Sequence, residues 1–301
     1  MKVVLAGGSG ALGRALGADL AERGHEVVVL SRSPGPGPHR QVAWDGVSVG
    51  PWAAELEGAA VVNLAGAIVD RRPTRKGIEL LTSSRVEPTT ALREATRRLD
   101  APVPVVVQAS TLAIYGDAGD AVLEEGAPPA DGPPQMAGVA KAWEAAAVGT
   151  NAERTVVLRT GIVLDAGTPA MDRLVWLTRW GLGGRIGDGR QWTSWIHVAD
   201  WLAVVRHVLE PSSALAGVGH ATGPEPVTNR ELMAALRRTL RRPTAPPTPR
   251  LLVRAGAVVL RTDPALALTG RRAVPRRLLD DGFVFAHPVI DEALADLVGR
   301  R

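Results

Sequence analysis

Residues 1–13, Met1-Lys-Val-Val-Leu-Ala-Gly-Gly-Ser-Gly-Ala-Leu-Gly13, leave the chain few ways to fold. A short apolar run ends in clustered glycines, and an amphipathic stretch, Leu12–Arg23, follows at once. This pattern predicts a strand, a tight turn and a helix whose N-terminus opens over bare backbone. Such a turn lets a pyrophosphate approach N–H groups at the positive end of the helix dipole. Two glycine spacings coincide, Gly8-x-Gly10-x-x-Gly13 and Gly7-x-x-Gly10-x-x-Gly13. A ligand-free turn would account for the glycines alone. The strand before them, the helix after them and a second apolar run at Glu26–Leu30 favour a dinucleotide site. Gly7, Gly8, Ser9, Gly10, Ala11, Leu12 and Gly13 are its expected lining.

At 301 residues the chain is long enough for one large domain or two joined ones. Apolar residues make up 46% and charged residues 22%, as in an ordinary globular protein, and no apolar run approaches the ~20 residues of a membrane span. The start carries no secretion-signal pattern, and a cytoplasmic location is expected. With no cysteine, disulfides, thiolate catalysis and cysteine-held metals are excluded. The isoelectric point of about 10.2 reflects arginine usage. Only Lys2, Lys76 and Lys141 are lysines among 35 basic residues, against 31 acidic ones. The basic residues are scattered, so a solvated surface is expected and no nucleic-acid partner.

Valine-rich runs at Val3–Ala6, Glu26–Leu30, Ala60–Leu64, Val103–Ala109 and Thr155–Leu158 have strand length. They alternate with helical patterns at Leu12–Arg23, Arg75–Leu99 and Val139–Val148. This predicts an α/β fold of the Rossmann type, a doubly wound parallel sheet. The second half is richer in proline, glycine and helix. It includes a capped helix over Thr228–Leu240 and a proline-dense linker or wrap at Arg242–Pro249. The expected division is a dinucleotide-binding domain of residues 1–167 plus about 195–225, interleaved with a smaller C-terminal substrate domain of 168–194 plus 226–301.

In doubly wound sheets the ligand crevice lies outside the carboxyl ends of the strands, so the residues after each strand are the ones to inspect. After the second strand stand Ser31 and Arg32, where NAD sites usually place a carboxylate for the ribose hydroxyl. An arginine suits a 2′-phosphate, which favours NADP. Asp45, next to Trp44, is a weaker candidate for the adenine end. Asn63, Leu64, Ala65 and Gly66 follow the next strand, and small residues there let the chain pass close beneath a cofactor. Ser110 and Thr111 follow the strand after that, with Tyr115 in the same loop. Their hydroxyls can meet a reacting group, although a serine–threonine turn closing the strand needs none.

The segments Gly7–Gly13, Asn63–Gly66, Ser110–Gly116, Arg159–Leu164, Gly181–Gly189, Arg190–Asp200 and Pro275–Phe283 together resemble the extended short-chain dehydrogenase/reductase superfamily. Within it the chain looks most like the epimerase family, including a DUF1731-like C-terminal segment. The resemblance spans nearly the whole chain. It implies an NADP-binding domain, a small-molecule substrate, and homodimerisation as in many relatives. By the same resemblance Arg159 and Gly161 border the nicotinamide pocket, mainly through backbone.

That family typically uses a Ser or Thr, a Tyr, and a Lys four residues after the Tyr. Lys141 stands in the helix where the lysine is expected, to hold the nicotinamide ribose, but position 137 is Ala137. The acid/base pair is therefore absent, which typically costs ~10²–10⁴-fold in rate. Ser110, Thr111, Tyr115 and Lys141 are the expected catalytic residues, with Tyr115 the first choice for a relocated acid and Glu144, His197 and Asp200 behind it. Glu144 lies one helical turn from Lys141 and is as readily its ion-pair partner. Arg190, Trp192 and His197 are weak substrate candidates. His197 with Asp200 is too small a set for a metal, and none is expected. Trp176, Trp180, Trp192 and Trp195 either pack the smaller lobe or wall a flat apolar pocket.

Three functions compete at this stage. The first is an NADP(H)-dependent reductase of a small carbonyl, enone or imine, which can tolerate the lost tyrosine. The second is a redox sensor or scaffold that binds NADP(H) without chemistry. The third is a nucleotide-sugar epimerase or dehydratase with a relocated base.

Overall fold

Strand β1 (Lys2–Ala6) lies inside a seven-stranded parallel sheet, in a computed structural model that describes residues 1–299. From β1 the chain moves outward through β2 (Glu26–Ser31) to β3 (Arg40–Ala43). It then returns to the other side of β1 with β4 (Ala60–Asn63) and continues through β5 (Val103–Thr111), β6 (Ala152–Thr160) and β7 (Gly217–Ala221). The spatial order β7-β6-β5-β4-β1-β2-β3 reverses direction between β1 and β4. That reversal opens a crevice at the carboxyl ends of these two strands.

The expected fold class is what is found. Sequence reading located five of the seven strands. β3 escaped because Arg40-Gln-Val-Ala carries a single strongly apolar residue and two exposed ends. β7 escaped because Gly217-Val-Gly-His-Ala has two glycines and a histidine where a buried strand ordinarily shows branched aliphatics.

Alternation along the strands splits the core in two. Val3, Leu5, Val27, Val29, Val105, Val107, Val156 and Leu158 face α1 (Ala11–Glu22) and α5 (Val198–Leu209). Val4, Ala6, Val28, Leu30, Val61 and Val106 face the opposite side, where Ala91, Leu92 and Ala95 of α2 (Arg75–Thr96) complete the packing. α3 (Val139–Ala146) lies beside α2 on that second side.

A smaller core joins α4 (Pro169–Arg179) and α6 (Asn229–Thr239) to the C-terminal helix Ile290–Gly299 through Val175, Trp195, Met233, Leu236 and Leu294. The capping box expected at Thr228 and Glu231 is formed. The tail does not stay in this lobe, since Leu278, Phe283 and Phe285 pack into the first core with α5. The proline-dense segment runs extended, and Thr248 bridges to Ile186. No helix among the described residues is long and apolar enough to cross a membrane.

Candidate functional site

The glycine turn is built for close approach. Gly7 has φ +80°, and a Cβ there would lie 2.7 Å from the Leu64 carbonyl carbon of β4's exit. At Gly13 a Cβ would lie 2.5 Å from the Gly7 carbonyl oxygen and 2.6 Å from Gly8 Cα. Gly10 differs: its Cβ would meet only the Gly7 oxygen, at 3.4 Å, and the residue is exposed together with Ser9 and Ala11. Gly10 caps α1 with no side-chain hydrogen bond, and the first turn holds no acidic residue. The helix therefore presents its leading N–H groups and positive end to the crevice, which fits a pyrophosphate.

Around that turn the other cofactor candidates take different roles. The Ser31 hydroxyl accepts from the Ser33 N–H at 3.2 Å, and Arg32 stands exposed beside it. Asp45 accepts from the N–H groups of Val47 and Ser48, which folds its own loop. Asn63 is fully buried, donating to Thr89 and Gln108 and accepting from Ala65 N–H. Its amide holds the turn Leu64–Gly66 against β4 and α2. A Cβ on Gly66 would press on the Arg85 side chain at 3.1 Å. At Gly161 it would lie 2.6 Å from the Ser194 oxygen, so this glycine seats β6's exit against the strand Trp195–His197.

At the carboxyl ends of β5, β6 and β7 the register places Ser110, Arg159 and His220 side by side. Parallel neighbours in register share a face, here the one covered by α3. Ser110 donates to Glu144 of α3 at 2.6 Å, and Arg159 grips the same carboxylate through Nε and Nη2, each at 2.8 Å. The remaining Arg159 donor, Nη1, reaches the Tyr115 hydroxyl at 2.7 Å. His220 Nδ1 faces the Val274 carbonyl at 2.9 Å and so carries its proton there. Nε2 is left to accept from the Tyr115 hydroxyl at 2.7 Å. Five polar side chains thus form one connected network: Ser110 and Arg159 both donate to Glu144, Arg159 also donates to Tyr115, and Tyr115 donates to His220.

Burial sets the electrostatics of this chain. Desolvation pushes the His220 pKa down to about 4. Desolvation also raises Tyr115, against the opposing pull of the Arg159 charge. Tyr115 is 4% exposed, and its hydroxyl is engaged on both sides. The Arg159 guanidinium is the centre of the network. Glu144 pairs with Arg159 and not with Lys141, whose ammonium lies 3.9 Å from Asp131.

His220 titration has a consequence for stability. Neutral in the folded protein down to about pH 4, it takes up its proton near pH 6.5 when unfolded. The unfolded state therefore binds more protons between those values, and stability falls as pH falls from 6.5 to 4. The loss is on the order of 3 kcal/mol. Urea denaturation from pH 7 to pH 4 should show that slope, and His220→Gln should flatten it. An equal slope in both proteins would remove His220 as its source.

The other candidates are dispersed. The Thr111 hydroxyl accepts from Ala113 N–H and caps the short helix Leu112–Tyr115. Arg190 and Trp192 both bind Asp120, at 3.1 and 2.8 Å, and Arg272 stacks 4.3 Å above the Trp192 ring. Trp195 is fully buried, whereas Trp176 and Trp180 are exposed. His197 is buried and caps α5 by accepting from Ala199 N–H at Nδ1. Asp200 accepts from the N–H groups of Ala286 and His287.

His197, His287 and Asp296 bring potential ligand atoms within 4.8 Å of one another. The hydrogen bond at Nδ1 puts the His197 proton on Nε2, which faces Asp296 at 3.2 Å. A protonated nitrogen is a donor and not a metal ligand. His220 is the residue sequence reading missed. A lone histidine in an otherwise small, buried-looking run at Gly217–Ala221 was its only signal.

Residues 3–218 match the model of the NAD dependent epimerase/dehydratase family, and residues 248–297 match a domain of unknown function, DUF1731. The human epimerase family protein SDR39U1 is 34% identical over 304 residues, covering 99% of this chain and 100% of the relative. Epimerase family protein YfhF of Bacillus subtilis is 29% identical over 313 residues, covering 100% and 99%. The crystal structure of human SDR39U1 (isoform 2) with NADPH superposes with a TM-score of 0.88 at 33% identity, over the full length of both chains.

Proposed function

This chain belongs to the NAD dependent epimerase/dehydratase family, and we propose that it is an NADP(H)-dependent oxidoreductase reducing a small carbonyl, enone or imine. One observation carries the reading. Ser110, held by Glu144, stands at the carboxyl edge of the same sheet whose switch point carries a bare, uncapped glycine turn. The NADPH present in the human relative's crystal structure supports the choice of cofactor, as does Arg32 after β2.

NADPH, when bound, supplies the hydride. The N–H groups of residues 7–13 would hold its pyrophosphate, and Arg32 would meet the 2′-phosphate. Lys141, at the position where this family carries a lysine, would hold the nicotinamide ribose. Ser110 and Thr111 orient the acceptor. Ala137 is fully buried in the helical turn Pro134–Gly138 that leads into α3, so no phenol stands at that position. An activated acceptor suits such a site better than a sugar hydroxyl, whose oxidation needs a base.

The test is NADPH consumption over a panel of cinnamaldehyde, cyclohexenone and a cyclic imine. Ser110→Ala with Thr111→Ala should abolish turnover and leave NADPH binding intact. Binding without turnover of any panel member would favour the sensor reading, which Ala137 also suits. A second expected result concerns the cofactor alone. Arg32→Glu should reverse the preference of NADPH over NADH, weakening NADPH by roughly tenfold or more, about 1.4 kcal/mol. Equal NADPH affinity in the variant, measured by fluorescence titration, would remove Arg32 from the site.

A further inference from the structure

We propose that Glu144 is the proton relay of this site, connecting Ser110 at the crevice to bulk water on the far side of α3. The inference rests on the oxidoreductase reading and extends it to where the proton goes. Three observations support it. The Ser110 hydroxyl is committed to Glu144 at 2.6 Å, the geometry of a short hydrogen bond to a carboxylate. Arg159 fixes both carboxylate oxygens, so the acceptor points at Ser110 and cannot swing away. Glu144 also lines a cavity of about 180 Å³ between α3 and β6, together with Ala147, Val148, Thr155 and Val157. Val148 is 73% exposed at the rim, which marks the cavity as open to solvent. At about 30 Å³ per water, it has room for several.

The other hydroxyl of the network does not compete. Tyr115 directs its proton to His220 Nε2 and lies beneath Arg159, away from this route. Glu144 is the one member of the network that touches both Ser110 and the cavity.

In the oxidative direction the substrate C–H bond breaks and its hydride passes to NADP⁺. The substrate O–H proton goes to Ser110 Oγ as the Ser110 proton goes to Glu144 Oε1. The resulting carboxylic acid releases its proton to water in the cavity. Alcohol and NADP⁺ give carbonyl, NADPH and one proton. Reduction is the reverse, with Glu144 loaded from the cavity and the new alkoxide taking the Ser110 proton. Glu144 touches no reacting atom in either direction and acts through Ser110.

The experiment compares two acceptors in the full-length protein with NADPH. Cinnamaldehyde gives an alkoxide and needs a proton, whereas an N-methyl cyclic iminium takes hydride and needs none. Glu144→Gln keeps the shape of the side chain and a hydrogen bond to Ser110 but cannot carry a proton. It should lower the ratio of aldehyde to iminium turnover by about 10²-fold. Damage to the fold would lower both rates together and leave the ratio in place.

A second readout needs no turnover. In protein labelled with 13C at glutamate carboxyls, the resonance lost in Glu144→Gln identifies this side chain in the folded wild-type protein. It should shift in Ser110→Ala. An unchanged ratio, or a Glu144 resonance that does not move in Ser110→Ala, overturns the relay and leaves the hydride reading standing. If neither acceptor is consumed while NADPH binds, the oxidoreductase reading fails and the relay with it.

Discussion

Arg159→Met should destabilise the protein by about 3–5 kcal/mol, among the largest single-residue costs in the molecule. The Arg159 side chain is 5% exposed and that of Glu144 is 16% exposed, and they meet in a bidentate pair at 2.8 Å. Removing the guanidinium takes from the largely buried Glu144 carboxylate its counter-charge and both Arg159 hydrogen bonds, and takes from Tyr115 the donor at its oxygen. A buried charge without its counter-charge is far more costly than a missing contact.

The sign of the effect can be separated from simple loss of packing. Arg159→Met combined with Glu144→Met removes both charges and fills a similar volume. The double variant should therefore lie closer to wild type than either single variant. Urea denaturation of the four proteins measures this directly. Additive costs in the double variant would mean that the two charges do not compensate each other. Function should fail in all three variants, since Ser110 loses its orienting partner or that partner loses its anchor.

The second large effect falls on the cofactor turn, where two glycines three residues apart should both be needed for NADPH binding but differ in their effect on stability. Gly13→Val puts a branched side chain where even a Cβ would sit 2.5 Å from the Gly7 oxygen and 2.6 Å from Gly8 Cα. Both obstacles are backbone of the same turn, so helix α1 must move away from β1. Stability and NADPH binding should fall together, binding by on the order of 100-fold or about 3 kcal/mol. Gly10→Val meets only one atom, at 3.4 Å, in a backbone conformation (φ −72°) open to any residue. It should leave the melting temperature nearly unchanged and still weaken NADPH severely, because its side chain stands over the uncapped N–H groups. Intact binding in Gly10→Val would place the pyrophosphate elsewhere. A Gly13→Val protein as stable as wild type would show that the turn yields more than its backbone contacts allow.

Much of the fold could be read along the chain because its signals are local. β1, β2, β4, β5 and β6 are continuous valine-rich runs, and the glycine turn and the Thr228–Glu231 cap act within a few residues. β3 and β7 carry no such signal. They are strands because a parallel neighbour offers them hydrogen-bonding edges, which a linear pattern does not encode. The site divides the same way. Ser110, Glu144, Arg159 and Tyr115 each stood out, for a hydroxyl after a strand, a helical spacing, a strand exit and a lone tyrosine. Their union did not, because the bonded partners lie 15 to 44 residues apart. The apparent pairing of Glu144 with Lys141, only one turn away, gave way to Arg159 because a buried carboxylate takes the buried bidentate donor over an exposed ammonium.

By itself, then, the sequence settled the α/β class, the position of the glycine turn and the family, all of which rest on short-range patterns. Arg32 after β2 favoured a phosphate-bearing dinucleotide by the same kind of local signal. Tertiary structure alone decided which polar side chains work as a unit. The register of β5, β6 and β7 sets Ser110, Arg159 and His220 abreast, and α3 lowers Glu144 onto them. Ser110, Arg159, Tyr115 and His220 are buried there, so their donors must find acceptors, and burial chose the partners in the network.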